Sequence, residues 1–225
     1  MTDKIISSDI DLSASDASDG QAIRSASDAA GRLFRTYERH CREPSSDTFF
    51  DLLTAAHSLN DRLQKAVGRD FHSIEEFVAL KAIRNLAHHQ EELRSNVRVI
   101  PTPAYSDLAM MCVVRRDQIE RAIEITPKRW REDTRAACES VFHWYGLAVN
   151  INPCVFNFMV KAYEALSEVG VRPAEEDIAN FEASYRYENE EGHSHYVDGK
   201  LSAHAAEISA LLTSVVNQMP APDRV

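Results

Sequence analysis

The chain has 225 residues, of which 44% are hydrophobic and 27% are charged, a composition that is ordinary for a soluble globular protein. Its formal net charge of −10 excludes strong non-specific attraction of the whole chain to nucleic acid or anionic membranes. Seven glycines and eight prolines are few for this length, which favours helices over a turn-rich β fold.

The N-terminal part of the chain divides into a tail and two helices. Residues 1–19 are rich in Ser and Asp, which predicts a flexible acidic tail. Apolar residues then recur with helical spacing over residues 20–42, so we expect the first helix there. A second helix is predicted over residues 47–67, because Gly68 follows it in the position of a C-terminal stop.

A third helix is predicted to begin at Ser73 and to run to about Ser95. Ser73 and Glu76 have the spacing of a capping box, in which the serine caps the helix and the glutamate bonds back to it. The two prolines within residues 96–104 predict an extended connector after this helix.

The remaining chain reads as further helices. We expect a fourth helix over residues 106–125, although residues 108–114 alone are also compatible with a strand. Thr126-Pro127 and Asn152-Pro153 each resemble a helix start with proline in the first turn. The later elements are then helices at 126–150, 152–170, 174–188 and 201–218, with a loop at 189–199.

These elements predict an all-α fold made of antiparallel helices. The expected organisation is a tail over 1–19, a helical bundle over 20–125 and a C-terminal helical extension over 126–219 packed on the bundle. The boundary near residue 126 is soft, since no linker composition marks it.

Cysteine usage and hydropathy indicate the cellular compartment. Four cysteines (Cys41, Cys112, Cys138 and Cys154) are far apart and form no Cys-x-x-Cys pair, which is typical of free thiols in a reducing compartment. The sequence shows neither a signal-peptide pattern nor an apolar run of the roughly 18–20 residues that span a membrane. We therefore expect a cytoplasmic protein with no membrane partner.

The segment KAIRNLAHHQEEL of the third helix carries the most specific pattern in the chain. At about 100° per residue, its polar side chains fall within one sector of roughly 140°. We call this the motif sector, and it contains Lys81, Arg84, Asn85, His88 and His89. Burial of such groups without partners is costly, so they are expected to be paired, at an interface or functional.

The spacing of Arg84, Asn85 and His89 resembles the Arg-Asn-x-x-x-His signature of HEPN domains. HEPN domains are small helical bundles of prokaryotic toxin–antitoxin and antiphage systems, and they also occur in CRISPR-associated nucleases. The resemblance covers residues 47–95. His88 departs from it, because relatives often carry a small residue there, so either histidine could be the functional one.

The resemblance implies a metal-independent endoribonuclease without a cofactor. Its motif helices would meet in a homodimer, so that two Arg/His sets line one cleft that cuts RNA, and a cognate antitoxin is a further candidate partner. His89 would act as the acid or base, because histidine titrates near pH 6.5. Arg84 would clamp the phosphate, Asn85 would orient it, and His88 would be an accessory contact.

The alternative is that the motif sector has a structural role rather than a catalytic one. Arg84 and His88 are one helical turn apart and could form a hydrogen-bonded, partly exposed surface with Glu91 and Glu92. The same fold without catalysis would be an all-helical binding or regulatory protein.

The second helix offers accessory residues. Asn60 and Asp61 could face the motif helix and orient Arg84. The alternative is a solvent-exposed Asp61 that pairs with Arg62 or Lys65.

A basic cluster lies at the start of the predicted helix 126–150. Lys128, Arg129 and Arg131 surround Trp130, and together with Lys81 they are candidates for RNA binding. The alternative is a solvated first turn with Trp130 pointing inward. Cations in a first turn oppose the helix dipole, which favours the binding interpretation. Residues 81–135 hold 11 Lys and Arg against 8 Asp and Glu, so this part of the acidic chain is locally basic.

No metal is expected. His193 and His195, with Asp198 and His204, could hold a divalent cation, but a His-x-His in a loop is more often incidental. The sequence contains no Gly-rich phosphate loop, nucleophile elbow or zinc-finger spacing.

Overall fold

The computed structural model of the chain describes residues 9–89, 95–101 and 108–199. Within these ranges the protein forms seven helices and one four-stranded antiparallel sheet, so it is mostly helical, as predicted. In chain order the elements are α1 (Asp9–Arg42), α2 (Ser46–Val67), α3 (Glu75–His89), β1 (Ser95–Pro101), β2 (Leu108–Arg115), α4 (Arg116–Ile125), α5 (Lys128–Val141), β3 (His143–Tyr145), β4 (Ala148–Asn150), α6 (Asn152–Glu168) and α7 (Glu175–Glu191).

The sheet is the main departure from the predicted all-helical fold. Its order is β1-β2-β4-β3, and β2 occupies the first half of the predicted helix 106–125. In the centre of the sheet Val114 of β2 lies opposite Val149 of β4, and both side chains are fully buried. Periodicity along 106–125 could not reveal this pairing, because the partner strand lies about 35 residues later in the sequence.

The end of the predicted helix 126–150 is also a hairpin. Helix α5 ends at Val141, and β3 and β4 follow, joined by the two residues Gly146 and Leu147. Gly146 has a φ of 60°, a conformation that two-residue hairpin loops require and that glycine adopts without strain. The prediction of a continuous helix to residue 150 was therefore wrong.

Several boundaries shift at the ends of the chain. Helix α1 begins at Asp9, so residues 9–19, predicted as part of a tail, are helical. Extension of an existing helix costs little free energy, because each added residue gains a backbone hydrogen bond and no new nucleation is needed. Residues 1–8 of the predicted tail and the predicted helix 201–218 lie outside the described residues.

Helix α3 occupies the middle of the fold. It contacts α2, α4, α5 and α6, and its apolar side chains Phe77, Leu80, Ile83 and Leu86 are all buried. The apolar side chains of this helix are thus packed on several sides. Since α5 and α6 follow residue 126, elements on both sides of the predicted domain boundary contact the same helix.

The first turn of α3 is held by an ion pair. Both carboxylate oxygens of Glu76 accept hydrogen bonds from Lys161 Nζ of α6 at 2.8 Å. Glu76 is buried, so this pair neutralises a charge that would otherwise be costly in the core. The glutamate that was expected to bond back to Ser73 in a capping box thus joins two helices.

None of the helices in the described part of the chain is long and apolar enough to cross a membrane. Most of the buried apolar side chains form one cluster that includes residues from Ala26 in α1 to Ile178 in α7, while Ala82, Leu86 and Ala122 form a second, smaller one. The larger cluster joins the helices to β2 and β4, which contribute Cys112, Val114 and Val149.

A buried histidine lies near the end of α1. His40 is fully buried, its Nδ1 lies 3.0 Å from Thr48 Oγ1, and its Nε2 has no hydrogen-bond partner among the described residues. Burial lowers the pKa of His40 from 6.5 to about 4, because the charged imidazolium would lose its hydration. The folded protein therefore holds this side chain neutral at pH 7.

We expect His40 to make stability depend on pH. Between about pH 6.5 and pH 4, His40 is protonated in the unfolded chain but stays neutral in the folded protein. The free energy of unfolding should therefore fall over this interval by up to about 3 kcal/mol, at about 1.4 kcal/mol per pKa unit. Urea unfolding of the wild type and of His40→Gln at several pH values measures this fall in the free energy of unfolding, which should be smaller in the variant because the contribution of His40 is removed.

The control for this prediction is His193→Gln. The His193 side chain is exposed, and no hydrogen bond to it is described. This variant should keep the pH dependence of the wild type. Equal pH dependence of the wild type and His40→Gln would contradict the prediction.

Candidate nucleic-acid site

The motif sector lies on the part of α3 that the surrounding helices leave open. Lys81, Arg84 and Asn85 are half-buried, whereas His88 and His89 are exposed in the last turn. The buried residues of α3 alternate with these polar positions, so packing of the apolar side chains directs the polar sector outward.

Arg84 carries a charge without a described counterion. Its Nη1 donates to Asn85 Oδ1 at 3.4 Å, and its Nε is buried without a hydrogen-bond partner among the described residues. No carboxylate in the described part of the chain forms an ion pair with it, while Glu91 and Glu92 lie outside that part. A guanidinium with unused donors suits the binding of an anionic group such as a phosphate.

The neighbouring cationic side chain of Lys81 is ordered by the loop between α2 and α3. Lys81 Nζ lies 2.7 Å from Nε2 of His72, so this nitrogen must be the unprotonated acceptor. The other nitrogen of His72, Nδ1, lies 3.1 Å from Asp70 Oδ2 and donates to it. The Asp70–His72 pair thereby fixes the direction of the Lys81 ammonium group.

His57 of α2 belongs to the same electrostatic cluster, although sequence reasoning missed it. Burial lowers the pKa of His57, the Asp61 carboxylate raises it, and the charges of Arg84 and Lys81 lower it further. Its Nδ1 is buried without a hydrogen-bond partner among the described residues. The spacing of His57 and Asp61, one helical turn apart, was the available sequence signal.

His88 interacts electrostatically with Arg84. The charge of Arg84, one turn away, is the largest cause that lowers the pKa of His88. The His89 ring packs edge-on against His88, with ring centres 4.6 Å apart. Arg84 is therefore hydrogen-bonded to Asn85 and interacts electrostatically with His88, whose ring contacts that of His89.

Asp61 does not orient Arg84. It is 58% exposed, its Oδ2 lies 3.9 Å from His57 Nε2, and its Oδ1 accepts from Asn60 Nδ2 at 3.3 Å. Asn60 is buried, and its Oδ1 accepts from the backbone N–H of Phe71 at 2.9 Å. Asn60 thus stabilises the loop that carries Asp70 and His72 rather than the motif itself.

A groove with a volume of about 610 Å³ runs between α3 and the start of α5. We call it the α3–α5 groove. Trp130 is 53% exposed and lines it, which contradicts the interpretation of an inward Trp130. The residues that line the groove are Asp70, His72, Val78, Lys81, Ala82, Asn85, Thr126, Pro127, Trp130, Asp133 and Thr134.

The predicted basic cluster on α5 is divided between two roles. Lys128 is exposed, and the guanidinium of Arg129 lies 5.4 Å from the centre of the Trp130 ring. Arg131 Nη1 lies 3.1 Å from the Glu124 carboxylate, which also pairs with Arg135 at 2.9 Å, so Arg131 joins α4 to α5. Its role in RNA binding stays a prediction.

The predicted His-x-His loop is held by structural contacts. His195 Nδ1 lies 2.6 Å from the Glu188 carboxylate, Nε2 lies 3.0 Å from Asn189 Oδ1, and the ring stacks on Tyr185 at 3.6 Å. No three His, Cys, Asp or Glu side chains converge as a metal site within residues 9–89, 95–101 and 108–199. His204 lies outside these ranges.

The arrangement as a whole combines cations, imidazoles and an exposed indole on one side of the protein. Comparisons of the chain with protein-family models, with curated proteins and with solved structures find no match. Chemically, the motif sector can bind a phosphate and move a proton, and the adjacent groove can hold an aromatic ring.

We expect Arg84→Gln to raise the pKa of His88 and of His57, because the arginine charge lowers both. Titration of the histidine ring protons by NMR measures the shift. The matched control is Arg62→Gln, since Arg62 bonds to Ser25 and Ser58 and affects neither pKa. An unchanged His88 pKa in Arg84→Gln would show that the two groups do not interact.

Proposed function

We propose that this protein is a HEPN-like, metal-independent endoribonuclease that acts in the cytoplasm as a toxin or antiphage-defence effector. The observation that carries the proposal is the state of Arg84, which has no described counterion and lies beside Asn85 and one turn from His88. A purely structural arginine is expected to be satisfied by a carboxylate, as Arg131 is by Glu124.

The proposed reaction is an internal transfer at an RNA phosphate. A histidine removes the proton of the ribose 2′-OH, the 2′-oxygen attacks phosphorus, and the bond to the 5′-oxygen breaks. A second imidazole protonates the leaving 5′-oxygen, and the products are a 2′,3′-cyclic phosphate and a 5′-OH. Arg84 stabilises the extra negative charge on the phosphorane without exchanging protons itself.

The two histidines suit different halves of this reaction. His88, whose pKa Arg84 lowers, is neutral at pH 7 and suits the base. His89 has the spacing of the HEPN signature from Arg84 and suits the acid. In the homodimer that the resemblance implies, a second copy of α3 would supply another set across the cleft.

A non-catalytic RNA-binding or regulatory protein is the second candidate function. The feature that favours it is the position of His89, which does not line the α3–α5 groove, whereas Lys81, Asn85 and Trp130 do. Binding needs only the cations and the indole, while catalysis also needs an imidazole at the scissile phosphate.

Incubation of the purified protein with tRNA and a structured RNA in EDTA tests the proposal. The wild type should cleave, leaving 2′,3′-cyclic phosphate ends. Arg84→Ala and His89→Ala should lose about 100-fold or more in rate, the effect typical of removing a charge stabiliser or an acid–base group. His88→Ala is included because the two histidines have separate proposed roles.

The control is Lys65→Ala, which removes an exposed cation of α2 away from the motif sector and should leave the rate unchanged. RNA binding without cleavage would favour the regulatory function. Cleavage that survives Arg84→Ala and His89→Ala would refute the assignment of the site.

A further inference from the structure

We infer that Lys81 is a nucleophilic lysine that takes up an acyl group from a neutral, activated ester bound in the α3–α5 groove. His72 would be the base that removes protons from the Lys81 amine, and Asp70 would be a positioning residue that orients His72. This site goes beyond the proposed ribonuclease, because the reaction forms an amide and involves no RNA.

Three side chains that line the groove form a continuous chain of hydrogen bonds. Lys81 Nζ lies 2.7 Å from His72 Nε2, and His72 Nδ1 lies 3.1 Å from Asp70 Oδ2. Because Nδ1 donates to the carboxylate, Nε2 keeps the lone pair that a base needs. A nucleophile within hydrogen-bond reach of a base, with the base oriented by a third group, is the arrangement that activates nucleophiles in enzymes.

The imidazole of His72 is fixed from several sides. Asp70 Oδ1 accepts from the backbone N–H of His72 at 3.0 Å, so one carboxylate holds both the ring and the backbone. The ring also packs edge-on against Phe77, with ring centres 5.5 Å apart, and Asn60 Oδ1 binds the preceding N–H of Phe71. An incidental contact between two exposed side chains needs no such support, since holding long side chains in one geometry costs conformational entropy. The support therefore favours a role for the direction of the Nε2 lone pair.

The groove has room for a neutral ester beside the amine. Its volume of about 610 Å³ lies within the roughly 300–1,000 Å³ of typical small-molecule sites. Apolar and aromatic side chains that can contact an aryl group form part of its lining, namely Val78, Ala82, Pro127 and Trp130. Its formally charged side chains are one lysine and two aspartates, which do not favour an anionic ligand.

The proposed step balances in bonds and protons. His72 Nε2 takes one proton from the Lys81 ammonium group and passes it to water, which leaves a neutral amine. The amine attacks the ester carbonyl, His72 takes the second proton, and the bond between the carbonyl carbon and the leaving oxygen breaks. The leaving oxygen receives that proton from the imidazolium. The products are an amide on Lys81, an alcohol or phenol, and one proton in water.

Acetylation of the purified chain by p-nitrophenyl acetate, a neutral aryl ester, tests the inference. Mass spectrometry of peptides measures the rate of N-acetylation at each lysine, and the exposed Lys65 and Lys128 are the internal references. Lys81 is half-buried, so accessibility alone would make it the slower residue. We expect its acetylation rate to exceed theirs by about tenfold or more, because a positioned base accelerates the proton transfers.

Substitutions of the base and of its partner test the role of each. His72→Gln keeps a hydrogen-bonding side chain that cannot accept a proton, so the acetylation rate of Lys81 should fall to that of the references. Asp70→Asn should also lower this rate, whereas Asp70→Glu, which retains a carboxylate, should keep most of it. The matched control is His193→Gln, which removes an exposed histidine of another loop and should leave the rate unchanged. Circular dichroism checks that each variant keeps its helices.

Equal acetylation rates of Lys81 and the reference lysines would overturn the inference, and so would an unchanged Lys81 rate in His72→Gln. Release of p-nitrophenol without a stable acetyl group on Lys81 would assign the reaction to an imidazole and would also overturn it. None of these outcomes depends on whether the protein cleaves RNA.

Discussion

The packing of α3 is the constraint on which the rest of the structure depends. This helix contacts α2, α4, α5 and α6, so its buried side chains connect the bundle before residue 90 with the elements after residue 115. The bond between Glu76 and Lys161 anchors its first turn to α6. A charge buried this deeply must keep its partner, and therefore the position of α3 against α6 is closely restricted.

The restricted position of α3 determines the direction in which the side chains of the motif sector point. Because the apolar positions of α3 face inward, Arg84, Asn85 and His88 are directed to one open side, where the described neighbours leave the guanidinium without a carboxylate. The cations there repel one another, and this repulsion lowers the pKa of His88 and contributes to the low pKa of His57. A bound phosphate would relieve the repulsion, which links the electrostatic cost of the site to the binding of an anion.

The contact between α3 and α5 adds the second half of the site. It brings Trp130, in the part of the chain beyond residue 126, beside Lys81 and Asn85 of the motif sector. Meanwhile, Arg131 and Glu124 join α5 to α4 and so hold the first turn of α5 in place. The proposed phosphate-binding residues of α3 thus lie beside the groove that the indole of α5 lines.

The sequence by itself determined most of the helices and the composition of the motif sector, because the spacing of apolar and polar residues within one helix is a local property. It also identified Trp130 and its cations, but it did not decide whether the indole is buried. Only the tertiary structure decided that β2 is a strand, that Arg131 pairs with Glu124, and that His57 and Asp133 lie beside the motif. Strand pairing, ion pairs between helices and burial depend on partners distant in the chain, and periodicity within one segment contains no information about them.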